Sequence, residues 1–178
     1  VITVAAGITP SGVVHVGNFR EIITVDLVAR ALRDAGKQVR FIYSWDDFDV
    51  FRKVPKGMPQ QDMLTANLRR SIADVPDPHG DHDSYASHNI AALEQSIAPL
   101  GIACEFIRQS TRYRAGYYAQ GIRRALEQRA TIKAILDQFR REPLPADWLP
   151  LAGFDPETGR DDLEFSWDGE WTVHYKVE

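Results

Sequence analysis

Apolar positions recur with two different spacings at the start of the chain. Residues 1–6 form a β-branched, apolar run, which predicts a buried strand. A loop rich in glycine and proline follows, and apolar side chains at helical spacing then predict a helix that begins near Gly17 and ends before Gly36. A second apolar run over 39–45 predicts another strand. This segment therefore has the length and order of a βαβ unit with two parallel strands.

Further helices and a third strand continue this alternation. We predict helices over 59–72, 84–98 and 114–141, with Ser84 as the cap of the second of these, and a strand over 103–108. Strands that alternate with helices are typical of α/β folds. The fold class that we predict is therefore α/β, with a parallel sheet and flanking helices.

The last part of the chain differs from the rest, because four prolines in its first half exclude a long helix. Two runs, over 163–167 and 170–176, flank Asp168-Gly169. This dipeptide is typical of a two-residue turn, so we predict a β-hairpin. We expect one domain over 1–142 and a smaller appendage over 143–178.

Composition and charge narrow the class of protein. The chain has 178 residues, of which 44% are hydrophobic, which suits a folded core and excludes disordered, collagen-like and coiled-coil sequences. Its net charge of −4 excludes a uniformly basic surface but leaves room for a local basic strip. Cys104 is the only cysteine, so no internal disulfide can form and we expect a cytoplasmic location.

The sequence was searched for a membrane-spanning helix and for an N-terminal targeting signal. No apolar run approaches the ~18 residues that a membrane helix needs, so we expect no membrane partner. The chain begins at Val1 without a targeting pattern. We expect it to be a trimmed part of a longer protein.

The loop from Gly7 to Asn18 joins the first predicted strand to its helix. In an open parallel sheet, ligands bind beyond the carboxyl ends of the strands, where this loop lies. The helix N-terminus stabilises a phosphate through its free N–H groups and the positive end of its dipole. His15 and Asn18 place two donors in the same space, and Gly17 lets a flat base approach the backbone. The alternative is a tight turn with a capping Asn18 and an incidental histidine.

Acidic side chains follow the second predicted strand. Asp46, Asp47 and Asp49 fall at its carboxyl end and so face the same crevice. Carboxylates there suit a cationic amino group, a ribose hydroxyl or a magnesium ion, and Trp45 is placed to cover a cation. The alternative is a solvated turn in which one aspartate caps the next segment. We favour ligand binding for Asp46 and Asp49, and Asp47 stays open between the two.

The segment His15-Val-Gly-Asn18 resembles the HIGH signature of class I aminoacyl-tRNA synthetases and related nucleotidyltransferases. With Ser44-Trp-Asp-Asp-Phe-Asp49 and Pro76-Asp-Pro-His-Gly80, it makes the whole chain resemble the N-terminal part of class I, archaeal-type lysyl-tRNA synthetases. The resemblance implies a Rossmann-like catalytic fold. It also implies ATP-dependent activation of lysine as the adenylate, with magnesium, for transfer to the acceptor end of tRNA(Lys).

The resemblance and the position of the acidic residues together assign roles. His15 and Asn18 are the expected catalytic donors. The expected ATP-binding residues are Thr9, Pro10, Ser11, Gly12, His15, Gly17 and Asn18. The expected lysine-binding residues are Gly7, Thr9, Asp46 and Asp49.

The sequence departs from that family in two features, the lysine-rich KMSKS-type loop and the helical anticodon-binding region, which are both missing. Cysteine pairs that are frequent in the family are also absent from 154–162, so we expect no zinc there. We therefore expect the isolated chain to be weakly active or inactive. Two alternatives stay open: another HIGH-type nucleotidyltransferase, such as a cytidylyltransferase or a pantothenate-activating enzyme, and a non-catalytic fragment that binds nucleotide or tRNA.

A structural zinc site is predicted in the loop that precedes the capped helix. Asp77, Asp81, His82 and His88 offer two carboxylates and two imidazoles, an acceptable set for tetrahedral zinc. Some members of the family that the chain resembles bind zinc in the matching segment. His79 is a competing ligand. The alternative is a loop whose aspartates cap the helix and whose histidines are merely polar.

Basic and aromatic residues are mixed after the third predicted strand. They suit an RNA acceptor stem, contacted through phosphates and by stacking. The alternative, with arginines on a solvated helix face and tyrosines half-buried in the core, is favoured by the sequence alone. The residues are Arg108, Arg112, Arg114, Arg123 and Arg124, with Tyr113, Tyr117 and Tyr118.

Overall fold

The computed structural model describes residues 1–13 and 15–177. Val14, which falls in the predicted ligand-binding loop, and Glu178 lie outside the described residues. No helix in the described part of the chain is both long enough and apolar enough to cross a membrane.

The chain separates into two compact units, Val1–Thr111 and Arg112–Glu178. This boundary differs from the one between the predicted domains, 1–142 and 143–178. Compactness alone does not define a domain, so the predicted division stays a prediction.

The first unit is built on a parallel sheet of three strands. β1 (Ile2–Ile8) pairs with β2 (Val39–Trp45), and β2 pairs with β3 (Glu105–Arg108), so the order in the sheet is β1-β2-β3. The helix α1 (Val16–Asp34) connects the first two strands. The predicted α/β fold with a parallel βαβ unit is therefore confirmed.

Two more helices, α2 (Gln61–Ala66) and α3 (Tyr85–Ile97), precede β3. The helix predicted after Ser84 is confirmed as α3, and its cap is the Ser84 hydroxyl, which accepts from the Ser87 N–H at 3.1 Å. Capping satisfies a backbone donor that the first turn of the helix leaves free. The Ser84 side chain therefore marks the start of α3.

The helix α2 is shorter than the helix predicted over 59–72, which is wrong in its second half. Ser71 forms an antiparallel bridge with Val50. The Phe51 N–H donates to the Arg70 carbonyl at 2.7 Å. A backbone group that pairs with another segment cannot also continue a helix, so this long-range pairing ends α2 early.

The side chains of β2 form the centre of the core. Phe41, Tyr43 and Trp45 alternate along the strand and are at most 3% exposed. Ile22 of α1 and Ile90 of α3 are fully buried in the same cluster. Successive side chains of a strand point to opposite faces, so these three residues share the face that packs against the helices.

The second unit contains two short helices in place of one long helix. After α4 (Gln109–Arg114), which spans the boundary between the units, the chain forms α5 (Ala119–Glu127) and α6 (Arg129–Asp137). The continuous helix predicted over 114–141 is wrong. Gln128 caps the end of α5 and the start of α6. An apolar stripe runs on across such a one-residue break, so periodicity does not reveal it.

The predicted hairpin is confirmed as β4 (Leu163–Trp167) and β5 (Val173–Val177), which pair antiparallel. The predicted two-residue turn at Asp168-Gly169 is wrong, because five residues separate the strands. The Asp168 carboxylate stabilises this longer turn. Its Oδ1 accepts from the N–H of Glu170 at 2.8 Å and from that of Thr172 at 3.2 Å.

Candidate functional site

The loop between β1 and α1 starts in close contact with β2. Gly7 pairs with Ser44 in the sheet, and a Cβ on Gly7 would lie 2.8 Å from the Ser44 carbonyl oxygen and 2.9 Å from its Cβ. A larger residue would push the two backbones apart, so glycine is required here. The loop therefore leaves the sheet at a fixed point.

Two buried side chains of α3 hold the middle of this loop. The Tyr85 hydroxyl donates to the Ser11 carbonyl at 3.0 Å, and the Asn89 amide donates to the Pro10 carbonyl at 3.3 Å. Tyr85 is 1% exposed and Asn89 is 3% exposed. Neither residue was predicted from the sequence, where the available signal is a polar pair one turn apart at the start of a capped helix.

The two predicted catalytic residues form a capping box at the N-terminus of α1. His15 is the N-cap, and its Nδ1 accepts from the Gly17 N–H at 3.1 Å. Asn18 Oδ1 accepts from the His15 N–H at 3.4 Å. A Cβ on Gly17 would lie 2.9 Å from His15 Cε1, so the glycine makes room for the imidazole. The capping role, which was the alternative interpretation of Asn18, is thus present and includes His15.

This capping box uses acceptor atoms and leaves donor atoms for a ligand. A neutral imidazole whose Nδ1 accepts a hydrogen bond carries its proton on Nε2, so Nε2 of His15 is a donor. Asn18 likewise keeps its NH₂ group for donation. Both side chains lie at the positive end of the α1 dipole, which attracts anions. Capping the helix and binding a phosphate are therefore compatible roles.

The four predicted lysine-binding residues lie at the carboxyl ends of β1 and β2. Thr9 Oγ1 donates to Asp49 Oδ2 at 2.6 Å. The Asp46 N–H donates to the Ile8 carbonyl at 3.0 Å, which extends the strand pairing by one step. Gly7 lies one position before Ile8 in β1. The structure therefore brings these residues to one edge of the sheet.

The Asp46 carboxyl group at this edge has a displaced pKa. Burial raises the pKa of Asp46 above its usual range, and the charges of Asp49, Asp47 and Glu21 raise it further. The Ser44 hydroxyl donates to Asp46 Oδ1 at 2.9 Å and acts in the opposite direction. An ammonium group would relieve the repulsion among these carboxylates, so the edge favours a cationic ligand.

Asp47 has a structural role in contrast. It is 1% exposed, and its Oδ1 and Oδ2 accept from the Ser110 N–H at 2.8 Å and the Ser110 hydroxyl at 2.6 Å. Its carbonyl accepts from the Ala73 N–H at 2.9 Å. Asp47 therefore ties the end of β2 to α4, and both of its carboxylate oxygens have partners.

Two residues beside this edge were missed in the sequence. Glu21 Oε1 accepts from the Gly7 N–H at 3.5 Å. Tyr43 is fully buried, and its hydroxyl has no hydrogen-bond partner among the described residues. Burial raises the pKa of Tyr43, and the charges of Glu21, Cys104 and Asp46 raise it further, so the phenol stays neutral. In the sequence, Tyr43 looks like any other core residue of a strand. Glu21 likewise looks like an ordinary solvent-exposed residue of a helix.

One carboxylate shapes the loop in which zinc was predicted. Asp77 is 8% exposed. Its Oδ1 accepts from the His79 N–H at 3.1 Å, and its Oδ2 accepts from the N–H of Asp81 at 2.9 Å and that of His82 at 3.0 Å. The same Oδ2 lies 3.3 Å from Nδ1 of His88. Burial by itself raises the pKa of Asp77, but these donors and the charge of His88 lower it below its usual value.

The arrangement of this loop gives the zinc prediction no support. Both oxygens of Asp77 face N–H donors, and the rings of His79 and His88 stack with their centroids 4.5 Å apart. Over residues 1–13 and 15–177, no group of three or more His, Cys, Asp or Glu side chains is placed to hold a metal. The observed donor set does not fit tetrahedral zinc. Zinc stays a prediction, which metal analysis after dialysis tests.

The predicted basic and aromatic residues are divided between the two units. Arg108 ends β3 of the first unit, and the remaining residues of this set belong to the second. Tyr113 is 45% exposed and Tyr117 is 66% exposed. The expectation of half-buried tyrosines is therefore wrong for these two, and Tyr118 alone is half-buried.

The fold and the site together define a class of protein. A parallel βαβ unit places a capped helix N-terminus and an acidic strand end at one edge of the sheet. This is the position at which Rossmann-like domains bind nucleotides. The first unit therefore has the architecture of a nucleotide-binding domain.

The chain belongs to the family described as tRNA synthetases class I (K), which matches residues 1–178. It is 48% identical over 177 residues to a lysine–tRNA ligase of Borreliella burgdorferi, a match that covers 99% of this chain and 34% of the relative. A lysine–tRNA ligase of Thermococcus kodakarensis is also 48% identical, with 97% and 33% covered. The chain spans about a third of the length of these curated relatives. The resemblance to class I lysyl-tRNA synthetases, which was predicted from the sequence motifs, is confirmed.

Proposed function

We propose that the chain is part of a lysine–tRNA ligase and binds ATP and lysine to form lysyl-adenylate. The observation that carries this proposal is the meeting of two opposite kinds of group at one sheet edge. Donors of the capping box at His15 and Asn18 suit an anion, and Asp46 with the Thr9–Asp49 pair suits a cation. A triphosphate and an amino acid present these two charges. The relatives are lysine–tRNA ligases, which supports lysine as the amino acid.

Adenylate formation at this site requires alignment rather than a general base. The carboxylate of the amino acid is ionised at neutral pH and attacks the α-phosphorus of ATP, and pyrophosphate leaves with the electron pair of the broken P–O bond. Negative charge increases on the phosphate oxygens during this step. Nε2 of His15, the amide of Asn18 and the α1 N-terminus are donors fixed in advance for that charge. Magnesium, which accompanies ATP, supplies further neutralisation of the phosphates.

The remaining ATP-binding residues act through the shape of the loop. Thr9, Pro10, Ser11 and Gly12 lead from the sheet edge toward the capped helix, and Gly17 offers a backbone without a Cβ on which adenine can lie. Tyr85 and Asn89 are positioning residues, because they hold the loop carbonyls and do not themselves point to a ligand atom in this proposal. These two hydrogen bonds restrain the backbone at Pro10 and Ser11 before ATP binds, which reduces the entropy cost of binding.

The amino-acid end of the site depends on charge. Asp46 and Asp49 hold an ammonium group of lysine, and the hydrogen bond from Thr9 fixes the orientation of Asp49. Gly7 allows the lysine to approach the β1 backbone. As the ammonium group binds, it favours the ionised form of Asp46 and so opposes the raised pKa of that carboxyl.

The wider role follows from the relatives. We propose the acceptor end of tRNA(Lys) as the acceptor of the lysyl group, and a cytoplasmic location. The chain spans about a third of its curated relatives. We propose that alone it turns over more slowly than a full-length ligase.

Lysine-dependent exchange of pyrophosphate into ATP tests this function. We expect exchange by the 178-residue chain with ATP and lysine, and none above background with arginine in place of lysine. Calorimetric titration of ATP and of lysine should show binding even where exchange is slow. A preference for CTP, or exchange without an amino acid, would instead indicate another HIGH-type nucleotidyltransferase. ATP binding with no lysine-dependent exchange would indicate a non-catalytic fragment.

A further inference from the structure

Two polar side chains lie in series behind the Asp46 carboxylate. The Gln109 amide donates from Nε2 to the Ser44 hydroxyl at 2.7 Å, and this hydroxyl donates to Asp46 Oδ1 at 2.9 Å. Ser44 belongs to β2, and Gln109 is the first residue of α4. We call these three side chains, with their two hydrogen bonds, the Gln109 relay.

The chemistry of the groups sets the direction of the relay. An amide nitrogen only donates, so the Ser44 oxygen accepts from Gln109 and the Ser44 hydrogen is left for another acceptor. Asp46 Oδ1 is the acceptor that the hydroxyl reaches. Hydrogen bonds in series polarise one another, so the amide strengthens the hydrogen bond that Ser44 donates to the carboxylate.

The neighbouring strands restrict the Ser44 side chain. Ser44 pairs with Gly7 of β1, and a Cβ on Gly7 would lie 2.9 Å from the Cβ of Ser44. On its other side Ser44 pairs with Ile107 of β3, which precedes Gln109 by two positions. Alternate side chains of a strand share a face, so the continuation of β3 brings Gln109 to the face on which Ser44 lies. The relay is therefore a product of the sheet register.

The two carboxylates that are predicted to bind lysine are each held through one oxygen. Asp46 accepts from Ser44 through Oδ1, and Asp49 accepts from Thr9 through Oδ2. In the part of the chain that the structure describes, Asp46 Oδ2 and Asp49 Oδ1 have no hydrogen-bond partner. An ammonium group carries three donors and no acceptor. Each carboxylate thus has one oxygen fixed by a hydroxyl and one left for such a group.

We propose that Ser44 and Gln109 are positioning residues for the ammonium group of lysine, because they hold the Asp46 carboxylate in one orientation and leave its Oδ2 as the acceptor. The inference rests on the proposed function, which supplies lysine as the ligand. Neither residue contacts lysine in this proposal. Ser44 fixes Oδ1 of Asp46, and Gln109 keeps the serine hydroxyl turned toward that oxygen.

The relay also opposes the surroundings of Asp46. Burial raises the pKa of Asp46, and so do the charges of Asp49 and Asp47 beside it. The charge of Glu21 on α1 adds to this increase, whereas the hydrogen bond from the relay lowers the pKa. The neighbouring Tyr43 phenol is neutral. A proton on Asp46 removes the charge that attracts an ammonium group, so loss of the relay weakens lysine binding by protonation as well as by misorientation.

Ser44→Ala and Gln109→Met test the relay through lysine affinity, measured by calorimetry with the 178-residue chain from acidic to neutral pH. We expect Ser44→Ala to weaken lysine binding about fivefold at pH 7. The pH below which affinity is lost should also rise. Gln109→Met keeps a long side chain without the amide and should weaken binding about twofold to threefold. The control is Ser96→Ala on α3, an exposed serine whose hydroxyl donates to the Ala92 carbonyl, which should leave affinity unchanged.

A double-mutant cycle shows whether Ser44 acts through Asp46. In an Asp46→Asn background, Ser44→Ala should change lysine affinity less than twofold, because the carboxylate that it positions is gone. Melting temperatures show whether each variant is folded. A fivefold loss of equal size in both backgrounds would overturn the proposal, and so would a Ser44→Ala variant whose pH profile matches that of the wild type.

Carbon-13 NMR of the Asp46 carboxyl, titrated without lysine, separates the relay from the proposed function. We expect the carboxyl to ionise at higher pH in Ser44→Ala and Gln109→Met than in the wild type. This change, together with no lysine binding by the wild type, contradicts the proposed function and supports control of Asp46 by the relay. Lysine-dependent pyrophosphate exchange by the wild type, together with an Asp46 carboxyl that titrates identically in all three chains, contradicts the relay and supports the proposed function.

Discussion

His15 uses the two nitrogens of its ring differently, since Nδ1 caps α1 and Nε2 is left as a donor. We expect His15→Ala to lower stability by about 1 kcal/mol through the lost cap. It should also lower the rate of pyrophosphate exchange by about 10²–10³ through the lost donor. His15→Ser is the matched variant, because serine caps a helix but does not reach as far as Nε2. It should recover the melting temperature and not the rate; recovery of both would reduce His15 to a capping residue.

The ionised Asp46 carboxylate is expected to destabilise the fold and to strengthen the binding of lysine. Its raised pKa means that the folded chain holds this proton more firmly than the unfolded chain does. That contribution is lost as pH rises through the folded-state pKa, so ionised Asp46 destabilises the protein at neutral pH. We expect Asp46→Asn to raise the melting temperature at pH 7 and to change it little near pH 3. Lysine affinity should fall about tenfold.

The control for Asp46 is Asp49→Asn. This change removes a carboxylate that accepts from Thr9 at 2.6 Å, so it should weaken lysine binding without the gain in stability. Calorimetry with lysine and thermal denaturation at the two pH values measure both effects. A large loss of stability in Asp46→Asn, with lysine affinity intact, would show that Asp46 is a capping residue.

At the scale of an element, the start of α3 depends on the loop that Asp77 organises. Asn at this position keeps one acceptor and turns an NH₂ group toward backbone donors, so Asp77→Asn should cost about 1–3 kcal/mol at pH 7. The lowered pKa means that the ionised carboxylate stabilises the fold above its usual pKa of 3.8. This stability is lost as pH falls through the folded-state value, and the difference between wild type and variant should shrink there. Urea denaturation at pH 7 and pH 3 measures it.

Asp81→Asn is the control for this prediction, because Asp81 is exposed on the same loop and contributes its backbone N–H to Asp77. It should leave stability nearly unchanged at both pH values. A difference between Asp77→Asn and wild type that stays constant with pH would show that the carboxylate is not the stabilising group.

Elements were predictable where one local pattern decides them. The apolar run over 39–45 predicts β2, and Ser84 predicts the start of α3. The short α2 was not predictable, because Ser71 pairs with Val50 across a distance in sequence that no window of periodicity covers. The five-residue turn of the hairpin was missed since Asp168 bonds to residues beyond the expected turn.

The residues of the candidate site also fall into a predictable group and an unpredictable group. His15, Asn18, Asp46 and Asp49 lie in contiguous motifs at strand ends and were predicted as a group, although their ligand-binding roles stay predictions. The partners that hold the site come from distant elements. Tyr85 and Asn89 approach the loop from α3, and Ser110 binds Asp47 from α4. Tyr85 and Asn89 offer only the weak signal of a polar pair one turn apart and Ser110 offers none, because an ordinary polar residue acquires its role only when the chain folds.

At the scale of the whole molecule, the two units differ in chemistry. The first contains the predicted ATP and lysine residues, and in the second residues 112–141 carry a net charge of +6. Residues 142–178 carry a net charge of −8, so each unit has a net charge of −2 and the total conceals the basic segment. Charge counted segment by segment is therefore more informative for this chain than its total.

The strands of the parallel sheet follow one another in space in the order in which they occur along the chain. Each new strand can therefore pair with the edge of the existing sheet, and none of these three strands has to insert between two strands that are already paired. During synthesis, β1, α1 and β2 can associate before β3 leaves the ribosome, because their contacts are close in sequence. The nascent chain can thus form the strand ends that carry Thr9 and Asp49 early, so that the order of translation can also be the order of assembly.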